Sequence, residues 1–416
     1  MKVLLAPGGL WPEPAGVPLA GSGRGLAPSR VASGLARGWR AVRPDDALTL
    51  RPMADGGPGS AQVIAPDQVT SREVIQGRGP LGQVREVDLV RLVPSPSRSG
   101  NRRPAEASTW FLDAARLLAL PADPDEAAQE ALEGSTSGLG GVIGAALSRT
   151  GPLDTLLVGM SRCAVHDGGI GAIDALGGLR AAKDLLSHRS LGLVLADDIA
   201  LGGMNGAGAA LASTTSISPE RAQDLDRRAC ARAMEVVSEA QDLDAGAVGP
   251  HRPLPVVSAL DDAGPSAFAH VADLDGAARL SVSTWGTGAG GGSALLLRAL
   301  GAWARPGARV MAELVSLSDA VQGQDLVVTA WGELYDVLAD GVVGVVGQHA
   351  ASQAQPCIVV CGRCAVSRGE LAAAGVTNAY GMQEAHAAEP WDGTDSHGLE
   401  ARLVDLGSRL ARTWSR

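Results

Sequence analysis

The sequence predicts an α/β protein of two domains, one of them assembled from both ends of the chain. Three observations carry that expectation. The chain has 416 residues, more than one hydrophobic core usually serves. Apolar residues make up 45% of it and aromatics only 3%, with 55 glycines, so aliphatic side chains must fill the core and Gly-rich turns must join the elements. Short apolar runs that read as buried strands recur near both termini, each followed by a Gly- or Pro-rich turn.

The elements follow in order. VLLAP (3–7) reads as a strand ending at a turn, and the next twenty residues as a Gly- and Pro-rich loop. SRVASGLARGWRAV (29–42) has helical spacing, with Ser29 as its cap. ALTLRPM (47–53) is a second strand, and ADGGPGS (54–60) the loop after it. This is a βαβ unit with loops at the strand C-terminal ends, where open α/β sheets bind ligands. Residues 92–104 form a Pro/Ser/Arg loop. Helices are expected at 109–120, at the acidic stretch 124–133 and at STSGLGGVIGAAL (135–147). LDTLLVG (153–159) and LGLVLA (191–196) are apolar runs ending in polar turns, and WGTGAGGGSALLL (285–297) opens a helix. DLVVTA (325–330) and PCIVVCG (356–362) are strands, the latter followed by a Gly turn, and residues 397–414 close the chain as an amphipathic helix. The simplest division is a domain of residues 1–60 and 286–416 with residues 61–285 inserted as a second.

Several classes are excluded. The net charge is −10 and no basic patch carries interleaved aromatics, so no nucleic acid partner is expected. No apolar run approaches the roughly 18–20 residues that cross a bilayer, so no membrane span is expected. MKVLLAPGG is too short for a signal-peptide core, so the expected compartment is the cytoplasm. Cys163, Cys230, Cys357, Cys361 and Cys364 are odd in number, against a disulfide framework. Cys361 and Cys364 make a C-x-x-C that reads as two thiols on a strand and the turn after it.

The chemistry-bearing residues lie on the turns. Asp167, in HDGG, either orients substrate or binds a metal, or forms an Asx turn that caps the next helix. His166 is a proton acceptor or a polar turn residue. Asp55 contacts substrate or metal, with the amides of Gly56 and Gly57 facing an anion, or closes a tight turn. Ser161 and Arg162 either bind a carboxylate or phosphate, Arg162 by a bidentate pair, or leave Arg162 an exposed loop residue, and Thr136 either lines the cleft or caps a helix. Gly286, Gly288, Gly290, Gly291 and Gly292 either bring amides to phosphate or form an interdomain hinge. Asp197 and Asp198, adjacent acids after a strand, suit magnesium or a solvated turn.

The order of the pieces is more specific than any one of them. MKVLLAP, LAPSRVASGLARGW, PMADGGPGS, STSGLGGVI, GMSRCAVHDGGIGAIDALG, WGTGAGGG and DLVVTAWGEL succeed one another in a series that resembles the bacterial glycerate kinase family. The resemblance implies two domains, one Rossmann-like or flavodoxin-like and the other an inserted α/β domain, with the active site in the cleft between them. It implies transfer of the ATP γ-phosphoryl group to a hydroxyl of D-glycerate with magnesium, in a monomer or homodimer acting on a small molecule. Within that family pattern, Asp167, Asp55 and Ser161 are the surviving polar core. Gly8, Thr215, Trp331, Tyr335 and Val342 stand where the family is usually polar. Phosphoryl transfer needs cations around the phosphates and carboxylates to hold magnesium or orient the hydroxyl. The departures therefore leave open a working kinase, a kinase of a shifted hydroxy acid, and a non-catalytic binding protein on the same scaffold.

Overall fold

The computed structural model describes residues 1–12, 16–20, 24–93, 107–246, 280–383 and 396–415. Most of the Pro/Ser/Arg loop expected at 92–104 lies outside these residues. The strands, in chain order, are β1 (Lys2–Leu5), β2 (Ala47–Leu50), β3 (Val69–Arg78), β4 (Val84–Leu92), β5 (Thr109–Leu112), β6 (Thr155–Met160), β7 (Ser190–Leu195), β8 (Trp303–Pro306), β9 (Leu326–Leu334), β10 (Cys357–Cys364) and β11 (Asn378–Gly381). They form two sheets. One has the order β11-β10-β9-β1-β2 and is wholly parallel. The other has the order β3-β4-β5-β6-β7-β8, with β3 and β4 joined antiparallel to their neighbours and β5 to β8 parallel.

The first sheet unites the chain ends. Val3, Leu4 and Leu5 of β1 are fully buried between β2 and β9. Helices Pro28–Val42 and Ser396–Trp414 pack together over one face, contributing Val31, Leu35, Trp39, Leu399, Leu403 and Leu410 to a shared cluster. Each such side chain contributes about 1.5–3 kcal/mol on burial. The helices approach closely because Gly38 and Gly407 have no side chain: a Cβ at Gly38 would lie 1.9 Å from the Val404 carbonyl oxygen. The Trp39 indole and the N-terminal amine both donate to Asp46, which ties the start of β1 to the turn before β2.

A central cluster joins the sheets. Leu4, Ala6 and Val327 from the first meet Val90, Phe111, Leu157 and Val194 from the second, with Val310 and Met311 of helix Gly307–Leu314 between. β8, beyond residue 286, pairs with β7, so the second sheet takes strands from residues 69 to 306.

Some elements differ from expectation. Residues 109–120 are not a helix: Thr109–Leu112 is a strand, followed by a 3₁₀ turn at Ala114–Arg116. TWFL is aromatic and apolar at every position after Thr109, and it is buried between β4 and β6. The hairpin β3–β4 was not legible as strands, because its first arm is mostly exposed and lacks an apolar alternation. Helix Pro28–Val42 begins at Pro28 and has no side-chain cap, so Ser29 lies inside its first turn. Gly362 sits within β10, which runs on to Cys364, so the expected Gly turn is absent there.

Candidate functional site

β6, β7 and β8 end side by side, and the loops leaving them carry most of the polar residues singled out above. Ser161 and Arg162 follow β6, Asp197 and Asp198 follow β7, and Gly307 follows β8. The ADGG loop, leaving β2 of the first sheet, lies across these ends. A Cβ at Gly56 would meet the Val194 carbonyl oxygen at 2.7 Å, and one at Gly307 would lie 1.6 Å from the Asp55 carbonyl oxygen. Glycine at both positions is therefore what brings the Asp55 backbone against the second sheet.

The structure gathers Asp55, Arg162 and Asp197 at this junction. Asp197 Oδ2 accepts from the Arg162 backbone N–H at 3.1 Å and from its guanidinium Nε at 3.4 Å. Asp197 Oδ1 accepts from the Ile199 amide at 3.3 Å. Asp55 Oδ1 accepts from the Gly57 amide at 2.9 Å. Burial pushes the Asp55 carboxyl up to about 6; the nearby Asp197 charge adds to the rise, while the Gly57 amide and Arg162 oppose it. Two carboxylates and one guanidinium thus share the C-terminal edge of a parallel sheet, with the Asp55 carboxyl held above the usual carboxylate range. Asp198 is exposed beside them, and its carbonyl accepts from the Gly286 amide.

Asp167 is held differently. Its carboxylate accepts from the Thr136 amide at 2.9 Å, the Thr136 hydroxyl at 2.9 and 3.0 Å, the Gly169 amide at 2.9 Å and the Gly171 amide at 3.3 Å. Thr136 Oγ1 in turn accepts from the Ala172 amide. This network pins the start of helix Ile170–Ala175 to the start of helix Ser137–Leu147. Thr136 is fully buried. His166 is buried too, its Nε2 3.1 Å from Asp226 Oδ1 on helix Pro219–Gly246.

The glycine series is packed inside the protein. Gly286, Gly288, Gly290, Gly291 and Gly292 are all buried. A Cβ at Gly291 would meet the Val165 carbonyl oxygen at 2.7 Å, one at Gly292 the Gly168 backbone at 2.7 Å, and one at Gly288 the Ala200 carbonyl oxygen at 2.7 Å. Gly291 and Gly292 also have φ of 66° and 99°, which a side chain would strain. These contacts bind the segment to the turns after β6 and β7.

At the first sheet's strand ends, Trp331 lies on Gly8: a Cβ there would meet the indole at 2.8 Å. Trp11 covers Gly9 and Gly25 in the same way. Tyr335 is exposed and its hydroxyl donates to the buried carboxylate of Glu333, which is in register with Arg363 on β10. Thr215 is buried, donating to the Leu211 carbonyl, and Val342 is buried at the start of helix Val342–Ser352.

One polar residue at the site escaped the sequence reading. Asp113 directly follows β5 and is fully buried. Its Oδ1 accepts from the Gly59 amide at 3.3 Å and its Oδ2 from the Ala61 amide at 3.2 Å. Burial pushes its carboxyl up to about 7, opposed by the Ala61 amide and Arg116. The signal that marks it, an acid directly after an apolar strand, is the one that marks Asp197 after LGLVLA.

Among the described residues no group of three or more His, Cys, Asp or Glu is arranged to hold a metal, and no helix is long and apolar enough to cross a membrane.

Comparison with known proteins fits this architecture. The Glycerate kinase family profile matches residues 23–205 and 255–414. A glycerate kinase of Bacillus subtilis (strain 168) is 27% identical over 405 residues, covering 93% of this chain and 96% of that protein. An uncharacterized protein of Mycobacterium tuberculosis (strain CDC 1551 / Oshkosh) is 29% identical over 369 residues, 87% of this chain and 82% of the other. The crystal structure described as glycerate kinase 2 from Salmonella typhimurium LT2 superposes with a TM-score of 0.61 at 20% identity, covering 99% of this chain and 98% of that one, and so shares the fold. The chain belongs to the glycerate kinase family.

Proposed function

We propose that the chain is an ATP-dependent kinase of a small hydroxy acid, D-glycerate being the first candidate, and that the reaction takes place where the Asp55 loop crosses the ends of β6 and β7. The observation that carries this reading is the Asp55–Arg162–Asp197 group: a carboxyl raised to about 6 beside an acid and a guanidinium, at the edge where open α/β sheets bind ligands. In this reading Asp55 accepts the proton of the attacking hydroxyl, since a base with a pKa near the working pH is the most effective. Arg162 draws the substrate carboxylate to the site, and its pairing with Asp197 fixes its direction. Ser161 is buried, and its carbonyl accepts from the Gly290 amide, so it holds the loop that presents Arg162.

A carboxylate donor fits magnesium, which is usually held by one or two carboxylates plus substrate phosphate oxygens. Of the two acids after β7, Asp197 already accepts through both oxygens from Arg162 and the Ile199 amide, so the exposed Asp198, with substrate phosphate oxygens, would hold it, and when bound it would supply charge neutralisation on the phosphates. Asp167, Thr136 and the glycines 286–292 act here by shaping the loops, and His166 by joining the Asp167 turn to helix Pro219–Gly246 through Asp226. The proposed cytoplasmic setting follows from such a substrate and nucleotide.

A second reading, a kinase of a shifted hydroxy acid or a binding protein without turnover, is favoured by Trp331 and Trp11, whose indoles occupy the first sheet's strand ends at Gly8 and Gly9. ADP release from purified protein with ATP, Mg²⁺ and D-glycerate separates the readings. We expect glycerate-dependent release in the wild type and a loss on the order of 10²–10⁴ in Asp55→Asn. Release with another hydroxy acid alone would support the shifted substrate, and saturable binding without release would support the non-catalytic protein.

A further inference from the structure

We infer that Asp113 is a positioning residue for Asp55, acting through the Ser60 turn. The inference rests on the reading of Asp55 as the reacting carboxylate. A continuous chain of hydrogen bonds connects the two. The Asp113 carboxylate accepts from the amides on both sides of Ser60, Gly59 at 3.3 Å and Ala61 at 3.2 Å. Ser60 Oγ then accepts from the Gly56 amide at 3.1 Å and donates to the Gly57 carbonyl at 2.6 Å. The Gly57 amide finally donates to Asp55 Oδ1 at 2.9 Å.

Asp113 is itself fixed to the second sheet. It follows β5 directly, and its amide donates to the Asp88 carbonyl on β4 at 2.9 Å. Arg72 on β3 holds the same turn from its other side, donating to the Ala61 carbonyl at 3.0 Å. The Asp88 carboxylate pairs with Arg72 at 3.7 Å and with Arg116 at 3.2 Å. Strands β3, β4 and β5 thus grip the Ser60–Ala61 turn, and the turn sets the place of Asp55.

At Gly59 no side chain packs to hold the turn: a Cβ there would meet nothing within 4 Å, and Gly59 has φ of 89°. Asp113 is the side chain that accepts from the amides on both sides of Ser60, while Arg72 holds the Ala61 carbonyl. A buried carboxylate fits the task, because it offers both oxygens to two amides that would otherwise be left without partners.

The test is hydrogen exchange of residues 54–61 together with turnover in Asp113→Asn, which keeps the shape but can accept with only one side-chain atom. We expect the Gly57 amide to exchange on the order of tenfold faster, with helix Ser137–Leu147 unchanged. We expect kcat with ATP and glycerate to fall about ten- to a hundredfold while KM moves little, and Asp113→Asn to add almost nothing in an Asp55→Asn background. Ser60→Ala cuts the same chain in the middle with Asp113 intact, and should reproduce the pattern if Asp113→Asn does not fold. An unchanged Gly57 exchange rate overturns the inference whether or not the chain turns over glycerate. So does an equal fall in kcat with and without Asp55. If the wild type lacks turnover while Gly57 exchange rises as expected, the kinase reading fails and the anchoring of Asp55 stands.

Discussion

Replacing Gly307 by Ala tests how tightly the two sheets are fitted at the site. Gly307 opens helix Gly307–Leu314 immediately after β8. A Cβ there would lie 1.6 Å from the Asp55 carbonyl oxygen, 2.5 Å from its carbonyl carbon and 2.8 Å from the Leu195 carbonyl oxygen. Carbon–oxygen contacts need about 3.3 Å, so the Asp55 loop or the helix must retreat by more than ~1 Å. Both neighbours are backbone and cannot rotate aside. Overpacking of this kind costs about 1–3 kcal/mol. A displacement of about 1 Å at a reacting group costs on the order of 10² in rate. The assay is paired: thermal midpoint, and turnover of ATP with glycerate on the same preparation. Gly141→Ala is the control, since Gly141 lies inside helix Ser137–Leu147 with nothing within 4 Å of a Cβ. It should hold or raise stability by about 0.5–1 kcal/mol with full turnover. A Gly307→Ala protein matching the wild type in both readouts would refute the close approach.

The remaining predictions concern charge and packing. Asp167→Ala should lower stability by about 3 kcal/mol or more, because the amides of Thr136, Gly169 and Gly171 lose their acceptor; the thermal midpoint checks this. Asp55 and Asp113 have carboxyls raised to about 6 and about 7, so the folded chain binds more protons than the unfolded one above pH ~4. Their contribution to stability therefore falls as pH rises from ~4 to ~7, and thermal midpoints across that range should show a flatter slope in Asp55→Asn and in Asp113→Asn. Gly292→Ala should fail to yield folded protein in a solubility and circular-dichroism test, since φ of 99° and the Gly168 backbone 2.7 Å from a Cβ act together.

The parts of this protein legible in its sequence were those decided locally. VLLAP, ALTL and DLVVTA carry their own burial pattern, and the helices at 124–133 and 397–414 carry their own periodicity. The glycerate kinase resemblance, read from the order of Gly-rich loops, agrees with the family profile over both matched segments. What was not legible depended on partners far along the chain. TWFL becomes a strand because β4 and β6 flank it, and β3 because β4 pairs with it. The meeting of Asp55, Arg162 and Asp197 is set by Gly56 and Gly307, which admit a loop from one sheet to the ends of the other. The saturation of Asp167 by Thr136 and two amides is equally a tertiary fact, from residues 31 positions apart. A sequence shows that an acid stands on a turn; it does not show how many donors already surround it.

The most direct test is whether the protein moves a phosphoryl group onto a hydroxy acid. Phosphorus-31 NMR of the protein with ATP, Mg²⁺ and D-glycerate follows that transfer directly. We expect a phosphomonoester signal growing with ADP in the wild type and lost in Asp55→Asn. ATP left intact, or converted to ADP and inorganic phosphate with no phosphorylated acid, would contradict the kinase reading.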